Sequence, residues 1–225
     1  MVLKAPRAER LQIAGPAGPL QALVESPAAE AGEGPAVPAF AVVCHPHPLF
    51  GGTLDNKVVY TVARAIGQLR VPAIRFNFRG VGASAGGYDE GRGESEDALA
   101  VIAYGRRRWP QAALWLAGFS FGGAVAARIA AAAQAARVVL VAPGITRLER
   151  TDFEAARAAV PHCPWLIVQG DADEVVPQEA VLEWARGLKP ASGTPPPRIA
   201  LLPGASHFFH GRLNELRDAV LAFLA

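Results

Sequence analysis

Apolar residues in this chain come in short unbroken runs rather than in strict alternation. Residues 39–44 read Ala-Phe-Ala-Val-Val-Cys, 137–141 read Arg-Val-Val-Leu-Val, and 164–169 read Pro-Trp-Leu-Ile-Val-Gln. Similar runs occupy 72–78, 113–118 and 198–202. Unbroken hydrophobicity over such a length is expected of strands covered on both faces of their sheet. Between the runs the spacing turns helical, at roughly 55–69, 94–108, 122–135, 177–188 and 211–224. The last of these puts Leu213, Leu216, Val220 and Leu221 on one face. This alternation predicts an α/β fold: a mostly parallel, twisted sheet of about seven to eight strands with helices on both faces. Weaker strand signals at 9–13 and 20–25 flank Gly-Pro-Ala-Gly-Pro and predict an antiparallel hairpin at the N-terminal edge.

Residues 26–38 and 190–197, rich in Pro, Gly, Ala and Ser, are expected as solvent-exposed connections. No internal repeat or interdomain linker interrupts the pattern, so residues 1–225 are expected to form a single domain. The stretch between the runs 137–141 and 164–169 has room for about two helical turns, around 151–159, and not for a large lid.

Composition narrows the function classes. With 51% hydrophobic and 19% charged residues the chain has ample material for a core, which excludes wholesale disorder. The net charge is +2, and the one dense basic block, Arg106 to Arg108, stands just before Trp109-Pro110, where cations suit a helix C-terminus. No nucleic-acid partner is expected. Pro6, Gly15, Pro16 and Pro19 break any secretory h-region, and Arg128 and Gln134 interrupt the short Ala-rich segment 124–136. A cytoplasmic protein without a membrane partner is therefore expected. Cys44 and Cys163 have no CxxC partner and read as free thiols of a reducing compartment.

Candidate chemistry is concentrated where the run 113–118 enters Gly118-Phe119-Ser120-Phe121-Gly122 and leaves as an Ala-rich helix. A serine hydroxyl becomes a usable nucleophile when a sharp strand-to-helix turn lifts it clear of the chain and a base stands beside it. Glycines at 118 and 122 leave room for that turn. Ser120 is the candidate nucleophile, and the Phe121 amide at the helix start is suited to developing negative charge. A second Gly-x-Ser-x-Gly, around Ser84 at 82–86, is followed by Gly-Tyr-Asp-Glu-Gly-Arg-Gly and opens no helix, so Ser84 reads as a loop residue. An acid and a histidine should follow the serine in that order, from loops at the carboxyl ends of strands. Gly170-Asp171-Ala172-Asp173 follows one predicted strand, and Pro203-Gly204-Ala205-Ser206-His207 follows the next.

The elbow, Gly170-x-x-Asp173-x-x-Val176-Pro177 and Gly204-x-x-His207 together resemble the α/β-hydrolase family over nearly the whole chain. His45-Pro46-His47-Pro48-Leu49-Phe50-Gly51-Gly52-Thr53 and Arg75-Phe76-Asn77-Phe78-Arg79-Gly80-Val81-Gly82 further resemble its small bacterial members without a lid. The resemblance implies Asp173 as the triad acid, with Asp171 as competitor and turn residue, and His207 as the base. His162 and His210 are then expected to be partly buried structural residues. It also implies a second oxyanion donor from the loop after 39–44. There the family carries His-Gly-x and this chain His45-Pro46-His47, so the donor is the His47 amide or, next, that of Leu49. Neither His45 and His47 nor the glycines at 80–82 complete a metal or dinucleotide site, so no cofactor and no metal are expected. Arg79 reads as structural. Phe50, Phe119, Phe121, Phe208 and Phe209 flank the site, mostly as packing, with one or two on an acyl pocket.

The implied activity is cleavage of a small-molecule acyl substrate, an ester or thioester, through an acyl-enzyme. An acyltransferase or peptidase on the same triad, and a non-catalytic binding protein on the same scaffold, are the alternatives.

Overall fold

A computed structural model describes residues 7–27, 37–145, 161–188 and 194–225. Eight strands form one sheet: β1 (Arg7–Gly15), β2 (Gly18–Ser26), β3 (Ala39–Cys44), β4 (Ala73–Phe76), β5 (Ala113–Phe119), β6 (Arg137–Val141), β7 (Trp165–Gly170) and β8 (Arg198–Leu202). Their order is β1-β2-β4-β3-β5-β6-β7-β8. β1 and β2 form the expected antiparallel edge hairpin, β2 runs antiparallel to β4, and the remaining pairings are parallel. Five helices are described: α1 (Lys57–Gln68), α2 (Arg92–Arg108), α3 (Phe121–Ile129), α4 (Gln178–Gly187) and α5 (Leu213–Leu224). The helical turns expected at 151–159 lie outside the described residues, as does most of the predicted loop 26–38.

The unbroken apolar runs are explained by two cores, one on each face. Phe40, Val42, Ile74, Phe76, Leu116, Leu140 and Ile167 point to the face covered by α2, α3 and α4. Their neighbours Ala41, Val43, Ala73, Ala117, Val139, Val141 and Val168 point to the face covered by α1 and α5. Successive side chains of a strand alternate between faces, so a strand buried on both must be apolar throughout.

β8 departs from that expectation. It pairs only with β7, at the sheet edge, and Ile199 and Leu201 are 41% and 43% exposed. Helix α3 is also shorter than its apolar pattern. Regular helix ends at Ile129, and the chain then tightens until Gln134, at φ 50°, ends it. The Gln134 and Ala135 amides donate back to Ala131 and Ala130, a Schellman closure with a non-glycine in the left-handed position. Ala136 can then donate to Leu114 and start β6.

Several expected structural roles are explicit. The α2 C-terminus is tied down by Arg106 donating to the Ala133 carbonyl of the turn after α3, and by Arg108 pairing with Glu9 on β1. Arg79 donates from Nε and Nη2 to both oxygens of the fully buried Asp97 on α2, so its guanidinium is committed to the fold. Ser84 Oγ donates to the Asn77 carbonyl and accepts from the Gln21 amide, both within 2.9 Å, and is buried in a loop. Cys44 and Cys163 are free and buried, and burial raises the Cys163 thiol to about 11.

Candidate active site

Ser120 follows β5 and precedes α3, with φ 53° and ψ −118°. A side-chain-bearing residue at positive φ is strained, and the surrounding close approaches hold it there. A Cβ at Gly118 would overlap the Gly122 carbonyl, and one at Gly122 would overlap the carbonyl oxygens of Cys44 and His45. The Ser120 amide donates to Val141 on β6 at 2.9 Å, and its carbonyl accepts from Gly144 at 2.9 Å. The elbow is thereby clamped from β3 on one side and β6 on the other.

Asp173 leaves β7 and His207 leaves β8, both at carboxyl ends, where parallel sheets gather their sites. His207 Nε2 lies 3.0 Å from Ser120 Oγ, and His207 Nδ1 lies 2.9 Å from Asp173 Oδ2. Asp173 and His207 are buried while Ser120 is partly exposed. Burial alone would raise the Asp173 carboxyl. Bonds from His207 and from the Val176 and Val175 amides outweigh it, and the group is held below the ordinary carboxylate value. An ionised Asp173 can only accept, so the proton between it and the ring belongs to Nδ1. Nε2 then faces Ser120 with its lone pair.

Gln169, the penultimate residue of β7, was not singled out by any motif. It is fully buried, and its Nε2 donates to Asp173 Oδ2 and to the Val176 carbonyl, each at 3.0 Å. Within an apolar run, a lone polar residue four positions before the acid was the available signal. Asp171 is exposed and accepts from the Gly204 amide at 2.6 Å, which joins the two turns rather than meeting His207. His162 and His210 are exposed rather than partly buried, since the turns that carry them face solvent.

His45 and His47 separate sharply. His45 is fully buried, its Nδ1 donates to the Pro46 carbonyl and its Nε2 accepts from the Phe78 amide at 3.0 Å. Both ring nitrogens are therefore engaged. Burial lowers its pKa from 6.5 to about 4, which keeps it neutral. His47 is half-buried, and its Nδ1 accepts from the Leu49 amide at 3.2 Å. That bond removes Leu49 as a free donor. The backbone amides of His47 and Phe121 have no acceptor among the described residues. Of the flanking phenylalanines, Phe119, Phe121 and Phe209 are buried, while Phe50 and Phe208 are open to solvent.

Among the described residues, no group of three or more His, Cys, Asp or Glu is arranged to hold a metal ion. No helix among them is long and apolar enough to cross a membrane.

Comparison with known proteins agrees with this fold. Residues 87–222 match the dienelactone hydrolase family. An α/β serine hydrolase homologue from Coxiella burnetii is 42% identical, with a TM-score of 0.84, covering 96% of this chain and 97% of that one. A lidless α/β serine hydrolase from Xanthomonas campestris is 38% identical, also with a TM-score of 0.84, covering 100% of this chain and 96% of that one. An uncharacterised protein of Rickettsia prowazekii is 32% identical over 186 residues, which is 82% of this chain and 77% of that protein. With the sheet order and the elbow already in place, the match makes this chain a member of the dienelactone hydrolase family, with the fold of an α/β serine hydrolase without a large lid.

Proposed function

We propose that the protein hydrolyses small esters or thioesters through an acyl-enzyme on Ser120. The observation that carries this reading is the continuous chain Ser120 Oγ, His207 Nε2, His207 Nδ1, Asp173 Oδ2, with separations of 3.0 Å and 2.9 Å at its two hydrogen bonds. Ser120 Oγ forms a bond to the substrate carbonyl carbon while its proton passes to His207 Nε2. Asp173 stabilises the imidazolium and fixes its orientation. The carbonyl oxygen becomes an oxyanion between the free amides of Phe121 and His47; each such donor contributes about 3 kcal/mol to the transition state. As the carbonyl–heteroatom bond breaks, His207 returns its proton to the departing oxygen or sulfur. Water then adds to the acyl-enzyme, its proton goes to His207, and Ser120 leaves with that proton as the acid is released.

The partly exposed serine suits small or exposed acyl groups. The two free buried thiols favour a reducing compartment, and we assign the protein to the cytoplasm on that ground. A fluorophosphonate probe followed by peptide mass spectrometry tests the reading. Ser120 is expected to be labelled, and Ser120→Ala to lose both labelling and ester hydrolysis. Absence of labelling in folded protein would refute it.

A further inference from the structure

Two sets of rings stand on opposite sides of Ser120, and acyl transfer gives them different roles. His47, Phe50 and Tyr88 belong to loops after β3 and β4, on one side of β5, whereas His207 and Phe208 follow β8, on the other. His207 Nε2 returns its proton to the departing atom, so the leaving group lies on the side of His207 and Phe208. The rings on the loops after β3 and β4 stand on the opposite side, next to the His47 and Phe121 amides.

On that side the His47 ring packs against Phe50 at 4.7 Å, Tyr88 at 4.9 Å and Phe121 at 5.0 Å. The cluster grades from core to rim: Phe121 is 2% exposed and Phe50 is 86% exposed. His47 is anchored by the Leu49 amide on its Nδ1, and its burial favours the neutral ring. Phe50 thus forms an exposed apolar shelf at the rim of a cluster of tilted rings that runs through His47 to Phe121, the residue next to Ser120.

We propose that His47, Phe50 and Tyr88 form the acyl subsite and that it selects flat aromatic acyl groups over straight-chain ones. The inference rests on the acyl-enzyme reading above. Ring pairs at such separations gain beyond their buried area, by about two- to tenfold in an equilibrium. A straight chain on an open shelf is covered on one side only and loses torsional freedom, which a rigid ring does not.

The test compares kcat/KM for the p-nitrophenyl esters of phenylacetic and hexanoic acid, each normalised to its hydroxide-catalysed rate. The wild type should favour phenylacetyl. Phe50→Ala should reduce that ratio about two- to tenfold, Phe50→Leu should reduce it similarly, and Phe50→Trp should retain it. Because the leaving group is shared, Phe208→Ala should leave the ratio unchanged. No aromatic preference in the wild type, an unaltered ratio in Phe50→Ala, or an equal change in Phe208→Ala would overturn the assignment. Titrating Ser120 with the fluorophosphonate in each variant separates the two failures. A labelled but unselective enzyme refutes the shelf alone, whereas an unlabelled folded wild type refutes the acyl-enzyme and the shelf together.

Discussion

Gln169 is a fully buried side-chain donor to the Asp173 carboxylate. Asp173 Oδ1 is fixed by the Val175 and Val176 amides, and Gln169 adds the donor that turns Oδ2 toward His207. Gln169→Leu removes that donor and leaves the Val176 carbonyl without it. We expect kcat to fall about tenfold, equivalent to roughly 1.4 kcal/mol, with KM little changed. A merely structural role would instead lower the fraction of Ser120 that the fluorophosphonate titrates, with kcat per titrated site unchanged. Ser120, Asp173 and His207 could be picked out as candidates in the sequence because each sits at a fixed offset from a glycine or a strand end. Gln169 could not, because its partners lie in a turn whose path no local pattern dictates. Whether the Leu49 amide is free was also closed to sequence reasoning, because it depends on where the His47 ring turns, and the ring takes that amide.

At the scale of elements, Gly105 in α2 sets a general propensity against a particular neighbour. An alanine in a helix interior gains about 1 kcal/mol over glycine. Here a Cβ would overlap the edge of the Phe40 ring, which is fully buried and stacked on Trp109 at 5.7 Å. Overpacking a filled core costs about 1–3 kcal/mol, so the clash should win. Gly105→Ala is expected to lower stability by up to about 2 kcal/mol in urea denaturation. A stabilised variant would show that α2 moves freely against β3. The same dependence on neighbours explains β8. Its run of apolar residues resembles those of the central strands, but a strand covered on both faces and a strand at the sheet edge can carry the same composition. Only the order in which strands pair distinguishes them.

Across the whole molecule, buried ionisable groups tie stability to pH. His45 is the sharpest case, with its pKa lowered from 6.5 to about 4 by burial. Between those values the unfolded chain binds a proton at this position that the folded chain excludes, so stability rises with pH through the window and is lost as pH falls from 6.5 toward 4. The loss amounts to about 3 kcal/mol. His45→Gln offers an amide oxygen to the Phe78 amide without a titrating ring. In denaturation curves at pH 7 and pH 4.5 its stability should change less than that of the wild type. An identical change in both proteins would exclude His45 as a source of the acid sensitivity.

Local patterns along the chain suffice for the α/β class, the edge hairpin, all eight described strands, and the loops bearing Ser120, Asp173 and His207. These depend on hydrophobic period and on short motifs read locally along the chain. Tertiary structure decided what depends on residues distant in sequence. It brought Ser120 to His207 across 87 positions and His207 to Asp173 across 34. It exposed β8, committed Arg79 to Asp97, and divided the phenylalanines between core and rim. Burial and hydrogen-bond partnership arise from the packing of elements, and no short stretch of sequence carries them alone.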